Sequence, residues 1–368
     1  MRYIYGCRGA RWLRCGVRPV VLDSLIKAGL RSKAHRTSRI LEDDLLSAMS
    51  ELNPNELHPD LWPIQYLPGF PLDLAPTILV NFSRSLKGST APSDITVQDL
   101  VAPGLKPSDP SVNLRVYSPS NAGDRALPAM LWFHGGGYVL GSHRMGADTT
   151  FERCRKLGIR VVSVEYRMGP DNPAPAGNDD AYAAWLYVQK NAQKLGIDRE
   201  KVVVGGQSAG GGMAAALCQR IHDQGDVQPL SQYLLYPMLD DRTVLRPDSM
   251  RYIWTTRNNH YGWKSYLGQE PGQATVRTPY AVPGRREDLA GLPPAYITVG
   301  TIDLFHDENK EYAKKLEKAG VKIRFETVPG GFHAFETMPW FKNTTVGASY
   351  NRTQLAALAS AFKGFQKD

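Results

Sequence analysis

The chain has 368 residues, 42% of them hydrophobic and 22% charged, with a mean hydropathy of −0.34 and a formal net charge of +8. That balance suits one large α/β domain with a sizeable core, and no run approaches the roughly 18 consecutive apolar residues of a membrane-spanning helix. The charge does not point to nucleic acid: residues 1–40 carry ten Lys or Arg against one acid, Asp23, while the rest of the chain holds 34 basic and 35 acidic residues, so no basic face is expected on the folded domain.

Residues 1–40 are Arg-rich and almost free of acids, as transit peptides are, but Gly and Pro interrupt the amphipathic helix expected of such a peptide. The segment reads as a basic extension, disordered or a targeting segment, with Met49 an alternative start. No apolar core of 7–15 residues precedes a small-residue cleavage site, so a secretory signal is not expected. Cys7, Cys15, Cys154 and Cys218 show no paired spacing for disulfides or a zinc site. An intracellular, cytoplasmic protein without metal or cofactor is the expectation, with a mitochondrial address as the alternative.

Residues 41–368 read as one domain. From about Gly88 strand and helix signals alternate, the pattern of an α/β sheet covered on both faces. Strands are expected at 112–117, 129–133, 159–164, 202–205, 232–236, 295–299 and 323–328. Most are continuous apolar runs and should be central and parallel. Helices are expected at 148–157, 179–195, 209–222, 307–319 and 353–365. Two stretches stand outside the alternation. Residues 41–90 mix apolar and aromatic side chains with Pro, and residues 240–290 form a connection too long for an ordinary loop. Both are candidate lid elements. Their aromatic residues Trp62, Tyr66, Trp254, Tyr261 and Trp263 each read singly as ordinary packing, but as a group they are expected to narrow and dry a channel.

Within this frame Gly206-Gln207-Ser208-Ala209-Gly210 follows a strand and precedes a helix, the setting in which G-x-S-x-G becomes a nucleophile elbow. Such a pattern occurs by accident in roughly one chain of this length in ten, so alone it is weak. Upstream, His134-Gly135-Gly136-Gly137-Tyr138 closes the strand at 129–133, and three consecutive glycines free the backbone to aim N–H groups at a developing oxyanion, with the amide of Ala209 as a further donor. A serine needs a base. His333 follows the last strand, where the chain order Ser, Asp, His places one; His260 lies in the insertion and His306 stands three residues from the candidate acid. That acid is Asp303, after the strand at 295–299, with Asp307 and Glu308 as rivals better suited to the first turn of the next helix.

At this point the sequence resembles the hormone-sensitive-lipase-like branch of α/β-hydrolases, bacterial esterase family IV. The resemblance covers about residues 90–365 and rests on HGGGY at 134–138, YRMGPDNPAPAGNDDAYAAW at 166–185, GQSAGG at 206–211, YAVPGRREDLAGLPPAYITVGTIDLFHDE from 280 to 308, and GFHAF around His333. It implies an α/β-hydrolase fold with a mostly parallel sheet, a triad of Ser208, Asp303 and His333, an oxyanion hole from the amides of Gly136, Gly137 and Ala209, and a lid from the N-terminal region and the 240–290 insertion. The chain departs from the family pattern at Gln207, where an Asp is usual; at Gly169-Pro170-Asp171, where APE is usual; and at His333-Ala334-Phe335, where HGF is usual. None of these removes a catalytic group.

The expected function is therefore a serine carboxylesterase acting on short- to medium-chain acyl esters through an acyl-enzyme. A biosynthetic lactone, thioester or amide hydrolase or a dehydratase on the same site is the alternative, followed by a non-catalytic ligand-binding relative. The expected partner is a small-molecule ester, with no nucleic acid and no membrane segment; monomer and homodimer both stay open.

Overall fold

The computed structural model describes residues 56–66, 72, 89–123, 125–245, 252–363 and 365. The basic extension at 1–40 and most of the N-terminal lid candidate at 41–90 lie outside these residues. Eight strands form one sheet: β1 (Ile95–Ala102), β2 (Val112–Pro119), β3 (Leu127–Phe133), β4 (Arg160–Glu165), β5 (Ile197–Gln207), β6 (Ser231–Leu235), β7 (Ala295–Gly300) and β8 (Ile323–Val328). Their spatial order is β1-β2-β4-β3-β5-β6-β7-β8. The pairs from β4 through β8 are parallel, and β2 runs antiparallel to both β1 and β4. The expected mostly parallel α/β-hydrolase sheet is thus what forms.

Burial explains the pairing. β3, β4, β6 and β7 are buried over nearly their whole length, as strands covered on both faces must be. β2 instead alternates over its first residues, the period-two signature of an antiparallel strand. The sequence reading missed β1. In ITVQDLVA only the two ends, Ile95 and Ala102, are buried, so this edge strand shows neither an apolar run nor alternation.

Helices α1 (Ala147–Leu157), α2 (Ala176–Lys190), α3 (Ala209–Gln224), α4 (Thr256–Leu267), α5 (His306–Lys318) and α6 (Thr345–Ala361) complete the domain. On one face, α1 places Arg153 over the Trp132 ring of β3, and α6 accepts the Tyr233 hydroxyl of β6 at Gln354. α3 and α5 share the other face, where Gln219 donates to the Tyr312 hydroxyl. The largest departures among the expected helix boundaries are the end of α2 and the start of α6. α2 stops at Lys190 rather than 195, where the carbonyl of Tyr187 accepts both the backbone amide (3.0 Å) and the side-chain amide (2.8 Å) of the C-cap residue Asn191. α6 starts at Thr345 rather than 353. Thr344 caps it by accepting the Gly347 amide (3.2 Å), and packing carries the helix through Gly347 and Asn351 against their low propensity.

The parallel strands all end at one edge of the sheet. The loops leaving β3, β5, β7 and β8 there carry the glycine run, Ser208, Asp303 and His333, which is where an open α/β sheet presents a ligand site.

Candidate active site

Ser208 stands between the last residue of β5 and the first of α3 with φ 54° and ψ −123°. Such a backbone is strained for a residue with a Cβ, and the surroundings enforce it. The Ser208 amide donates to Leu235 (2.9 Å), while its carbonyl accepts from Met238 (2.9 Å) and Gly212 (3.1 Å). The turn is tight enough that a Cβ on Gly206 would stand 2.1 Å from the Gly210 carbonyl oxygen, and one on Gly210 would stand 2.2 Å from that of Phe133. The G-x-S-x-G spacing is a packing requirement here. Ala209 opens α3, so its N–H has no acceptor within the helix and points out of the positive end of the helix dipole.

His333, in the loop after β8, lies with Nε2 2.9 Å from Ser208 Oγ and Nδ1 2.8 Å from Asp303 Oδ2. Asp303 spends its other oxygen on the Phe305 amide (2.9 Å). An ionised carboxylate only accepts, so Nδ1 must carry the proton and Nε2 is left as acceptor for the serine hydroxyl. All three residues are buried, and rings hold the imidazole. Phe305 meets it edge-on at 5.0 Å and 90°, Tyr236 at 4.9 Å and 72°, and Trp254 at 6.3 Å.

The rival residues are occupied elsewhere. Asp307 pairs with His306 at the start of α5 (3.0 Å), and His260 faces Glu270 on an exposed stretch (3.1 Å). Glu308 accepts from the Leu239 amide (2.7 Å) and the Thr243 hydroxyl, and burial pushes its pKa well up. It clamps the chain leaving β6 and does not reach the histidine.

The glycine run passes directly over the serine: a Cβ on Gly135 would lie 3.3 Å from that of Ser208. Gly136 (φ 122°) accepts the Val139 and Leu140 amides (3.0 and 2.9 Å), which turns the loop back on itself. Gly137 (φ 61°) leaves room only for Trp254, whose ring would stand 1.9 Å from an added Cβ. Support comes from residues to which sequence reasoning assigned no role. The Tyr166 ring stacks on His134 at 4.6 Å and its hydroxyl donates to the His134 carbonyl (2.9 Å). Tyr138 stacks on Tyr266 at 4.0 Å and donates to Met238 (3.2 Å). Beyond the loop, Glu165 accepts from both the amide (2.7 Å) and the ring of His143. Burial pushes the Glu165 carboxyl up, but those hydrogen bonds outweigh it and leave the pKa below the ordinary carboxylate value. The YRMG and HGGGY runs mark these tyrosines, whereas nothing local ties Glu165 to His143.

Ser208 and His333 open into a cavity of about 900 Å³. Tyr252, Ile253 and Trp254 line it from the 240–290 stretch, and Ile64 and Leu72 from the N-terminal side. The expectation for the aromatic group needs correction. Trp254 alone of the five reaches this cavity: Trp62 and Tyr66 are exposed, Tyr261 lines a separate groove with His260 and Lys264, and Trp263 is buried against Tyr138 (5.4 Å). α4 turns Trp263 inward toward the glycine loop and so spends it on packing.

Among the described residues no group of three or more His, Cys, Asp or Glu could hold a metal ion, and no helix is long and apolar enough to cross a membrane. Cys154 and Cys218 are buried free thiols, with burial pushing the Cys154 pKa up to about 12, so neither is a ready nucleophile. Cys7 and Cys15 lie outside the described residues.

Comparison with known proteins agrees with this architecture. A family profile described as the alpha/beta hydrolase fold matches residues 130–337. The carboxylic ester hydrolase LipN of Mycobacterium tuberculosis is 34% identical over 249 residues, 66% of this chain and 64% of that protein, so the match spans under two thirds of that relative. The esterase LipI of the same organism is 33% identical over 260 residues, 68% of this chain and 78% of that protein. Among solved structures, a bacterial heroin esterase superposes with a TM-score of 0.76 at 33% identity, covering 84% of this chain and 98% of that one. With its eight-stranded sheet, its glycine run and these relatives, the chain belongs to the α/β-hydrolase family, in the hormone-sensitive-lipase-like branch.

Proposed function

We propose that this protein is a serine carboxylic-ester hydrolase, with Ser208 as nucleophile, His333 as general base and then acid, and Asp303 as the carboxylate that orients the imidazole. The observation that carries the reading is the hydrogen-bonded series from Ser208 Oγ to His333 Nε2 (2.9 Å) and from His333 Nδ1 to Asp303 Oδ2 (2.8 Å), set under a glycine loop. Ser208 Oγ attacks the ester carbonyl as its proton passes to Nε2, and the amides of Gly136, Gly137 and Ala209 receive the negative charge that develops on the carbonyl oxygen. Collapse expels the alcohol with the proton from Nε2, and water then cleaves the acyl-enzyme by the same route. The names of LipN and LipI support the reaction class.

The 252–290 stretch acts in this reading as one wall of a lid, with Trp254 as its contact to the reacting centre, and the substrates are short- to medium-chain acyl esters. Two buried unpaired thiols suit a reducing compartment, and the cytoplasm is the proposed location. The test is a graded series of p-nitrophenyl acyl esters together with a serine-directed organophosphate. The expected result is hydrolysis abolished by one covalent adduct, mapped to Ser208. An adduct elsewhere, or turnover that survives full labelling, would refute the assignment, and binding without turnover would favour the ligand-binding alternative.

A further inference from the structure

We propose that Arg153 makes the inner end of the cavity an anion-recognising subsite, so that the preferred substrate is an ester carrying a second, carboxylate group remote from the scissile bond. The inference rests on the esterase reading above and narrows the substrate class for the same site.

Across the sheet, Trp132, Gly205, Tyr233 and Tyr296 lie in register. Register partners in a parallel sheet point to the same face, so the missing side chain at Gly205 leaves a slot between two rings. Arg153 fills that slot from α1, its guanidinium 4.3 Å from the Trp132 ring centre and 5.9 Å from that of Tyr233. The residue is only 6% exposed and lines the cavity that holds Ser208.

No carboxylate lies within ion-pairing distance of it among the described residues. The acids that share the cavity are committed or lie at its exposed rim: Asp148 takes the Ser89 hydroxyl (2.9 Å), Glu152 is exposed, and Glu336 takes the Tyr236 hydroxyl. A buried cation without a counter-ion is costly, and aromatic faces offset only part of that cost. A ligand carboxylate completes the arrangement, because the guanidinium fork can bind both of its oxygens.

Three further buried polar atoms without partners belong to residues lining the same cavity: Nε of Arg144, the hydroxyl of Tyr350 and one oxygen of Glu336. The hydroxyl is a donor available to an anion. Burial raises the Glu336 pKa, which favours its neutral form and reduces its repulsion of a ligand anion. Gly205 precedes Ser208 by three residues along the strand, a separation of about 10 Å at the rise of an extended chain. The second carboxylate therefore sits several methylenes from the ester carbonyl.

The experiment compares kcat/KM for matched pairs that differ only in a terminal carboxylate or carboxamide. One arm carries that group on the acyl side, as the p-nitrophenyl monoester of adipic acid and its monoamide. The other carries it on the alcohol side, as the acetyl ester of 6-hydroxyhexanoate and of its amide. Wild-type protein is expected to prefer the carboxylate in at least one arm by about ten- to hundredfold, the worth of a charge-assisted hydrogen-bond pair. Arg153→Met collapses that ratio toward one, and Arg153→Lys keeps part of it.

A wild-type preference for the carboxamide in both arms overturns the proposal, as does an Arg153→Met variant that slows both members of a pair by the same factor. Should the variant fail to fold, competition on wild-type protein decides: adipate should inhibit at least tenfold better than hexanamide, and equal inhibition overturns the subsite. Hydrolysis of neutral short esters without carboxylate preference sinks this inference alone. Absence of all ester hydrolysis sinks the esterase reading and this inference with it.

Discussion

At the ends of β5, β7 and β8, the side chains of Ser208, His333 and Asp303 find their partners within the protein, whereas on the α1 and α6 side of the same cavity the Arg153 guanidinium lies against rings with no carboxylate beside it, and the buried Tyr350 hydroxyl has no hydrogen-bond partner among the described residues. The difference follows from what each wall does. Groups that move a proton must be aligned before substrate arrives, so their hydrogen bonds form within the protein and hold a geometry that would be costly to assemble during each turnover. Groups that select a substrate meet their partner only when it binds. Incomplete hydrogen bonding on a buried wall is therefore a pointer to specificity, and complete hydrogen bonding a pointer to preorganised chemistry.

The largest effects should come from breaking the complete wall. Ser208→Ala is expected to lower kcat by more than about 10⁴-fold with the fold preserved, measured as initial rates alongside thermal melting; robust residual turnover with an unchanged pH profile would remove the central assignment. Asp303→Asn should cost about 10³- to 10⁴-fold in kcat. The amide can donate to Nδ1 and so stabilise the wrong imidazole tautomer, while the Phe305 amide keeps an acceptor. A loss of less than tenfold would mean that another group orients His333.

A smaller effect sharpens the contrast at the mouth, where Trp254 lies against Gly137 and faces His333. Along an acetyl to palmitoyl series the wild-type specificity constant should rise by up to about fourfold per methylene, the equivalent of about 0.8 kcal/mol, and then fall once the cavity is filled. Trp254→Ala should move the maximum to longer chains. A steady rise through palmitoyl in wild-type protein would show an open groove instead of a roofed one.

The smallest effect concerns the support behind the glycine loop. The Glu165 carboxyl is held below its unfolded value, so its contribution to stability is present above the ordinary carboxylate range and is lost as pH falls through it toward the folded value. Glu165→Gln should therefore cost about 1–2 kcal/mol near pH 7, and its melting temperature should converge with that of wild type as pH falls below the ordinary carboxylate range. A gap that stays constant with pH would show that the contact with His143 is not ionic.

Much of this was legible in the linear chain, for a physical reason. A nucleophile elbow is a local object: strand, glycine, serine, glycine and helix lie within a few residues, and steric crowding at Gly206 and Gly210 admits no other spacing. The glycine run is equally local, and the order of Ser208, Asp303 and His333 follows from parallel strands that return their loops to one edge of the sheet. The apolar runs of β3 to β7 announced burial on both faces. Only tertiary structure decided the rest. The edge strand β1 carries no signal, because the partner that defines it lies 10 to 24 residues along the chain from its own residues. Of the five lid aromatics, packing of α4 against the glycine loop sent Trp263 inward and left Trp254 at the cavity. Arg153 reads as an ordinary helix cation until sheet register sets it above the gap at Gly205, and Glu165 reads as the end of a strand until His143 folds onto it. Local sterics can be read from neighbours in sequence, but what a charged or aromatic side chain faces is set by contacts between segments far apart in the chain.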